Sequence, residues 1–498
     1  MNKLNSQIVN NTKYIEYLKS LYKEVDKKYK ISYLKYMTTC LAVNVTTTLS
    51  DPFIENELNK ISQTIELDTN QVFTPNSFLH VMSESYGEGG HTKLVELFIK
   101  NIDSNEDKHS ILLLNQLQEI PQSLYNSLKD DSQLIVFDKD TDKNKAQKLA
   151  NIACKYRYII LHIHPEDTVA NLAFGNKKFQ RPIIFLNHAD HKFWCGVSIS
   201  DITLDLSTDG SLISRDLRGV HNSKIVHIPI ENKNINIDKD EARKYLKISK
   251  DKKIILSIAS EFKYGTTAQD IEKFTKLATE IVSTYDDCKF ILIGPSRDNK
   301  YWNKAYIATD AKIDPLGIIK RDELKYYIAC ADLYIESFPF SSYTAFLDTA
   351  IYNIKILTLK TPISTLDVVK ENHLQSNSVE ALTKNAISFL KNSNTEQNNI
   401  DLSIHLKEKW SNNLYHILSD VKEHQLYTFH PKTVDNNYLN HIDKVMGSCL
   451  VLDEVYTDLP FYVRVKLMFG LLKFHQVNSF DLFLKLLRRT LRGSKNAA

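Results

Sequence analysis

The chain has 498 residues, which is too long for a single hydrophobic core, so two large domains with added elements are expected. Its 63 Lys and Arg nearly balance its 60 Asp and Glu, which excludes nucleic-acid binding through bulk positive charge. The six cysteines show no C-x-x-C spacing, which disfavours a zinc ribbon or a disulfide framework. No stretch reaches the roughly 18 apolar residues of a membrane span, and the start lacks the apolar core of a signal peptide. We therefore expect a globular protein of the cytoplasm.

The hydrophobic pattern divides the chain into four parts. Residues 1–75 are amphipathic and predict an added helical segment. Beyond them, short apolar runs alternate with helical stretches, which is typical of a parallel sheet buried on both faces. The predicted strands of a first sheet are 78–82, 111–114, 134–137, 158–161, 183–186 and 225–228, and those of a second sheet are 253–258, 290–293, 333–335 and 354–357. The polar stretch 232–240 predicts a linker between the sheets.

These patterns predict an α/β fold with two Rossmann-like domains facing a cleft and a helical N-terminal segment. We place the first domain at 76–235, where the acceptor would bind, and the second at 236–425, where a nucleotide-sugar would bind. Helices follow at 426–498, with a return onto the first domain as one option.

A glycine-rich turn follows the first predicted strand. Gly87, Gly89 and Gly90 allow a close backbone approach to a ligand, and His91 would start the next helix. A helix N-terminus lowers the pKa of an imidazole, which suits a neutral general base. The alternative is that His91 only caps the helix.

Further histidines follow two strands of the first sheet, at the edge where open α/β sheets bind ligands. They are His162, His164, His188 and His191. Their spacing does not favour a metal site, so we expect no metal. Contacts to the acceptor are preferred for His188, His191 and Glu88.

Arg215 and Arg218 are candidates for binding a phosphate through two hydrogen bonds, and a solvated basic loop is the alternative.

In the second sheet, Lys263 follows the first predicted strand and Gly294 ends the next. A lysine at that edge can neutralise the charge that grows on a departing diphosphate.

The most informative stretch is 334–351, a strand followed by a small polar turn and a helix. The turn, Ser341 to Thr344, would direct free N–H groups at an anion. Asp348 lies one turn further and can accept hydrogen bonds from ribose hydroxyls. The alternative is an ordinary strand and helix with a Ser or Thr cap.

Together these features resemble the GT-B glycosyltransferases over about residues 78–425. The stretch 336–348 is similar to the corresponding segment of the protein O-GlcNAc transferases and of the bacterial cytoplasmic N-glycosyltransferases. The resemblance implies that Tyr343, Thr344 and Asp348 bind the diphosphate and ribose of UDP, and Lys263 falls within a residue of the family's diphosphate-binding lysine. From their positions in the chain we assign Gly90, Arg215, Gly294 and Ser342 to the same nucleotide-sugar site. It departs from the protein O-GlcNAc transferases at Tyr343, where they carry histidine, and in having no tetratricopeptide repeats, so the acceptor class does not transfer.

The expected function is the transfer of a hexose or N-acetylhexosamine from a nucleotide-sugar to a protein, glycan or lipid-linked acceptor, with no cofactor. The chain lacks the E-x7-E pattern of retaining enzymes, which favours inversion. His91 and Lys263 would be the catalytic residues. Two alternative functions stay open: a sugar-nucleotide 2-epimerase, and an inactive GT-B subunit that supports an active transferase. Assembly of the chain into a homo- or hetero-oligomer also stays open.

The last segment, 459–492, is apolar with a cationic end. It predicts either a helix pair packed on the core or on another subunit, or peripheral contact with the inner face of a membrane.

Overall fold

The computed structural model describes residues 3–68, 71–87, 90–102, 106–129, 132–230, 237–361, 366–371, 374–392, 400–435, 438–439, 442, 450–475 and 480–492. The chain divides into two compact units. Unit 1 comprises Met1–Leu206, Gly210–Val226 and Asn413–Ala498, and unit 2 comprises Ser207–Asp209 and His227–Asn412. The first half of the predicted linker, 232–240, lies outside the described residues.

Unit 1 begins with three helices, α1 (Lys3–Leu21), α2 (Lys30–Val43) and α3 (Pro52–Ser62). The start of α3 follows from its sequence, because the Asp51 carboxylate accepts hydrogen bonds from the amides of Phe53 and Ile54 and Pro52 occupies the first turn. All three helices contribute fully buried side chains to the main core of the unit, for example Leu18, Leu34 and Leu58.

The sheet of unit 1 has seven parallel strands in the order β3-β2-β1-β4-β5-β6-β7. They are β1 (Thr74–Met82), β2 (Lys108–Leu113), β3 (Leu134–Val136), β4 (Tyr156–His162), β5 (Ile183–Asn187), β6 (Ile202–Asp205) and β7 (Ser223–Ile225). The helices between them are α4 (Gly90–Ile102), α5 (Gln122–Tyr125), α6 (Asp142–Ala153), α7 (Val169–Phe174) and α8 (Thr208–Leu212). Leu79 and Val81 of β1 face the main core, whereas Met82 packs with Val95 and Ile99 of α4, so β1 is buried on both faces.

Unit 2 contains a sheet of six parallel strands in the order β10-β9-β8-β11-β12-β13. They are β8 (Lys253–Ile258), β9 (Cys288–Ile293), β10 (Ile313–Pro315), β11 (Leu333–Ile335), β12 (Lys355–Leu359) and β13 (Gln375–Ser376). The helices are α9 (Lys239–Leu246), α10 (Ala268–Thr284), α11 (Lys300–Ala308), α12 (Arg321–Cys330), α13 (Thr344–Ala350), α14 (Asp367–Glu371) and α15 (Val379–Lys391).

The chain returns to unit 1 within α16 (Lys407–Ser419) and continues through α17 (Glu454–Thr457), α18 (Phe461–Phe474) and α19 (Phe480–Arg492). Short 3-10 turns span Tyr22–Glu24, Lys27–Tyr29, Val197–Ile199, Glu261–Tyr264 and Ser403–His405, and a π-helical turn spans Ile213–Arg218. Among the helices of the described residues, none is long and apolar enough to cross a membrane.

Each sheet reverses its strand order at one point, between β1 and β4 in unit 1 and between β8 and β11 in unit 2. In open α/β sheets the loops that leave the carboxyl ends of the strands at such a point diverge and form a ligand crevice. The loops after β1 and β4, and those after β8 and β11, are therefore the places where a site is expected.

Candidate active site

In unit 2, the loops after β8 and β11 meet through Lys263. This residue lies on the 3-10 turn Glu261–Tyr264, and its Nζ donates a hydrogen bond of 2.9 Å to the carbonyl oxygen of Ser341. The amide of Phe340 in turn donates to the carbonyl of Lys263 at 3.2 Å. The sequence-predicted lysine and the sequence-predicted turn are thus adjacent, and we call Lys263 with residues 341–348 the donor group.

The conformation of this turn is set by the buried carboxylate of Glu336, which precedes the turn in the same loop. It accepts hydrogen bonds from the amide of Ser342 and, at 3.0 Å each, from the hydroxyls of Ser342 and Ser337. The hydroxyl of Tyr334 donates to the same carboxylate at 3.1 Å. Burial raises the pKa of Glu336, while the Ser342 amide and hydroxyl and the Lys263 ammonium oppose that rise. Glu336 was not among the predicted site residues.

The hydrogen bonds to Glu336 change the role expected of Ser342, which the sequence assigns to the nucleotide-sugar site. Because both the amide and the hydroxyl of Ser342 are directed at this buried carboxylate, Ser342 is placed to hold the loop in shape. Its neighbour Tyr343 is half-buried with φ of 48° and ψ of −81°. A positive φ is strained for an aromatic residue, and such strain concentrates at ligand sites.

Thr344 opens α13, a helix of seven residues, and Asp348 lies one turn further along it. Both side chains are half-buried. Burial raises the pKa of Tyr352, and the nearby Asp348 carboxylate raises it further, so Asp348 lies close to this phenol.

Gly294 directly follows β9 and lies against the start of the loop that carries Lys263. Its φ is 107°, and a Cβ at this position would lie 1.9 Å from the carbonyl oxygen of Ala259. Only glycine allows the two strand ends to approach so closely. Gly294 therefore shapes the same loop edge as Lys263.

In unit 1, three imidazoles gather at the carboxyl ends of β1, β4 and β5. The ring of His91 lies 4.4 Å from that of His188 and 5.8 Å from that of His164, measured between centroids. We call these three residues the imidazole cluster. Tyr86 joins it, because its hydroxyl lies 3.3 Å from Nε2 of His164 and donates to Glu84 at 3.1 Å.

The tautomer of His91 follows from one contact. Nε2 of His91 lies 2.9 Å from the carbonyl oxygen of His162, which can only accept, so Nε2 carries the proton. In the neutral ring Nδ1 is then the basic nitrogen, and it has no hydrogen-bond partner among the described residues. This is the arrangement that a general base requires, although Nδ1 is buried from solvent in this conformation.

Burial is the largest cause of the lowered pKa values of His91 and His188. It lowers the pKa of His91 to about 4, with a further decrease from His164 and an opposing increase from the His162 carbonyl. Burial also holds the pKa of His188 well below its usual value, and His91 and His164 add to the effect. The sequence predicts a lowered pKa for His91 from its place at a helix N-terminus. The direction is the same in the structure, but the main cause is desolvation by burial.

A second histidine group lies beneath α4 and was not predicted. Nδ1 of His80 is 3.0 Å from Nε2 of His162, and Nε2 of His80 is 3.0 Å from Nδ1 of His109. This histidine ladder crosses three neighbouring strands, and all three residues are buried. His162 therefore belongs to the sheet interior, and only its carbonyl reaches the imidazole cluster.

The remaining predicted residues lie as follows. Gly90 is the first residue of α4 and is exposed, whereas Glu88 lies outside the described residues. His191 makes a 3.1 Å contact with the carboxylate of Asp190. Arg215 is exposed on the π-helical turn of unit 1.

Arg218, which the sequence suggested as a phosphate ligand, is fully buried. Its guanidinium donates to the backbone carbonyls of Asp190 at 2.8 Å and Lys192 at 2.5 Å, and it stacks on the ring of Trp194 at 4.7 Å. The side chain is therefore committed to the interior of unit 1.

Across the part of the chain that the structure describes, no group of three or more His, Cys, Asp or Glu side chains is arranged to hold a metal ion.

Comparison with solved structures identifies the fold. HepE of Anabaena, solved in complex with UDP and glucose, shares 10% identity, covers 69% of this chain and 99% of its own, and has a TM-score of 0.52. The lipopolysaccharide outer core galactosyltransferase WaaB shares 12% identity over 69% of this chain and 99% of its own, with a TM-score of 0.50. The chain has the GT-B fold. A mutant O-GlcNAc transferase of Thermobaculum terrenum also matches, at 11% identity over 83% of this chain and 78% of its own, with a TM-score of 0.46.

The GT-B fold confirms the predicted α/β class with two Rossmann-like sheets. No family model matches the chain, and no curated protein matches its sequence. At these identities the likeness extends to the fold alone, so the activity of this GT-B chain is argued from its own residues.

Proposed function

We propose that the chain is a glycosyltransferase that moves a hexose or N-acetylhexosamine from a UDP-linked donor to a protein, glycan or lipid-linked acceptor. The observation that carries this proposal is the donor group. In it, the ammonium of Lys263 is hydrogen-bonded to the carbonyl of Ser341 at the point where the sheet of unit 2 reverses its strand order. The complex of HepE with UDP and glucose supports a nucleotide-sugar ligand for this fold. A bacterial source and a cytoplasmic location belong to the same proposal.

On the donor side, Lys263 would neutralise the negative charge of the diphosphate, and Asp348 would accept hydrogen bonds from the ribose hydroxyls. Tyr343 and Thr344 would contact the diphosphate, with Glu336 holding their loop in place. A fixed positive charge at the leaving group lowers the barrier because it needs no rearrangement as the bond breaks.

On the acceptor side, Nδ1 of His91 would take the proton of the acceptor hydroxyl or amide. The acceptor atom forms a bond to the anomeric carbon, the bond from that carbon to the diphosphate breaks, and UDP leaves with the electron pair. A single displacement of this kind inverts the anomeric centre. Since Nδ1 is buried, binding of the acceptor would have to move the groups that cover it.

We further propose that the reaction needs no metal and no cofactor, because Lys263 supplies the charge that a divalent ion would otherwise supply. Activity should then survive EDTA. Loss of activity that Mn²⁺ restores would contradict this part of the proposal.

The function is tested by incubating the full chain with UDP-glucose, UDP-galactose and UDP-N-acetylglucosamine. Slow release of UDP without change in the sugar supports a transferase. Formation of the 2-epimer would replace the proposal with the epimerase alternative, and binding without turnover would replace it with an inactive subunit.

The base is tested with His91→Ala and His164→Ala, and with His416→Ala on the exposed surface of α16 as a matched control. We expect His91→Ala to lower kcat by about 10²–10⁴ with UDP affinity unchanged. Because neutral His91 is the active form and its pKa is about 4, kcat/KM should fall only as the pH drops towards 4. A comparable loss in His164→Ala alone would assign the base to His164.

A further inference from the structure

The two C-terminal helices expose an unusual amount of apolar surface. Seven of the 19 large hydrophobic side chains exposed among the described residues lie on α18 and α19. These seven are Phe461, Tyr462, Phe469, Leu472, Phe480, Phe483 and Leu491. They include four of the five exposed phenylalanines, and four of them are more than half exposed, at 53% (Phe461), 61% (Phe469), 74% (Phe480) and 60% (Leu491). A concentration of exposed apolar side chains on two neighbouring helices marks a candidate interaction surface.

Helix α19 is held to unit 1 along one edge. Leu486 is fully buried in the main core, and Thr490 shares a 2.7 Å hydrogen bond with the hydroxyl of Tyr456. Helices α18 and α19 also pack on each other. The exposed side chains are therefore presented on a fixed support.

The exposed part of α19 has two faces. Phe480, Phe483 and Leu491 follow helical spacing and share a stripe beside the buried edge. Lys485, Arg488 and Arg489 are exposed on the polar side, where Asp481 is the only acid of the helix. Helix α18 contains no acidic residue and exposes Lys473.

We propose that α18 and α19 form a docking surface for a bilayer that contains anionic lipid. An apolar stripe beside a basic one fits such a bilayer, since the aromatic and leucine side chains enter the acyl boundary while the cations contact the headgroups. Charge disfavours a second copy of the chain, because a symmetric contact would bring the two basic stripes together. The proposal does not depend on the chemistry of the donor group.

The test is flotation of the full chain with vesicles of about three parts phosphatidylcholine to one part phosphatidylglycerol, and with vesicles of phosphatidylcholine alone. We expect strong partitioning only to the anionic vesicles, and a marked decrease at about 1 M salt because the Debye length shortens to about 3 Å. Arg488→Gln with Arg489→Gln should reduce the partition coefficient by about fivefold for each charge removed. Phe480→Ser with Leu491→Ser should reduce it by at least about tenfold.

The matched control is Ile307→Ser with Ile318→Ser, which removes two equally exposed apolar side chains, at 68% and 67%, from unit 2. This control should float like the wild type. A positive readout comes from Phe480→Trp, whose fluorescence should shift to the blue on addition of anionic vesicles, because Trp194, Trp302 and Trp410 are fully buried.

Equal flotation of the wild type and the Phe480→Ser, Leu491→Ser variant would overturn the proposal. So would a wild-type dimer that this variant converts to a monomer without any vesicle binding.

Discussion

Replacement of Lys263 by methionine is the sharpest test of the donor group, because the change keeps most of the side-chain volume and removes only the ammonium. In the structure that ammonium is fixed beside the loop by its 2.9 Å bond to the Ser341 carbonyl. A hydrogen bond to a charged group contributes roughly 1.5–3 kcal/mol, so UDP should bind about 10- to 150-fold more weakly to Lys263→Met.

The effect on kcat should be larger than the effect on binding if the ammonium acts on the departing diphosphate. Loss of one such stabilising donor typically lowers kcat by about 10²–10³. UDP affinity is measured by calorimetry, and kcat by UDP release from the donor sugar that the panel identifies.

The matched control is Lys253→Met. Lys253 is the first residue of β8, at the opposite end of the strand from the loop that carries Lys263. Lys253 lies 3.6 Å from the carboxylate of Asp332 and is partly exposed, so its loss should change stability by no more than about 1 kcal/mol. UDP affinity should stay at the wild-type value. If Lys263→Met also keeps wild-type UDP affinity and kcat, the assignment of the donor group is wrong.

Three further results are expected. Asp348→Ala should weaken UDP binding by about 10- to 150-fold in calorimetry, while Asp348→Asn should lose less; equal affinity in both variants would remove Asp348 from the site. Gly294→Ala should lower the free energy of unfolding in denaturant by about 3 kcal/mol or more. Gly317 also has a positive φ, but a Cβ there would lie 3.8 Å from its nearest neighbour, so Gly317→Ala should lower the free energy of unfolding by about 1 kcal/mol. Similar losses in the two variants would refute the steric argument. Unit 1 should unfold in mild acid before unit 2, because burial lowers the pKa of five of its described histidines, against His405 in unit 2, and each such ring takes up a proton on unfolding below about pH 6.5. For His91, with a pKa of about 4, the loss of stability between pH 6.5 and 5 is about 1.5 kcal/mol. The five are His80, His91, His162, His188 and His475. Proteolysis mapped at pH 5 and pH 7 would show cuts confined to unit 1, and cuts shared by both units would contradict the prediction.

The sequence predicts the strands that coincide with apolar runs, including the three-residue β3 and β11, and it misses the strands that do not. β8 and β9 are six residues each and fall where the apolar runs 253–258 and 290–293 place them. β6, β10 and β13 were missed. β10 is only Ile313–Pro315, with an acid and a proline, and it is a strand because it pairs with β9 at the edge of the sheet. That pairing is tertiary and leaves no periodicity to detect.

The candidate site was predictable where a residue lies in the loop that leaves the carboxyl end of a strand. Lys263 and the turn from Ser341 were placed at strand ends by the sequence, and the structure brings them into contact. The role of Glu336 was not predictable, since only the folded turn shows that its carboxylate binds the Ser342 amide. A signal did exist for the histidine ladder, because His80 interrupts an apolar strand, but the partners of a buried imidazole depend on strand register.

The histidine ladder restricts how this chain can diverge. A neutral imidazole has one N–H group and one bare nitrogen, so the three rings of His109, His80 and His162 can be satisfied only if their protons all point in the same direction across the sheet. Replacing the middle ring alone would leave two buried nitrogens without their partners, whereas replacing all three by apolar side chains of similar volume would leave none. Relatives of this chain should therefore keep the three histidines together or lose them together.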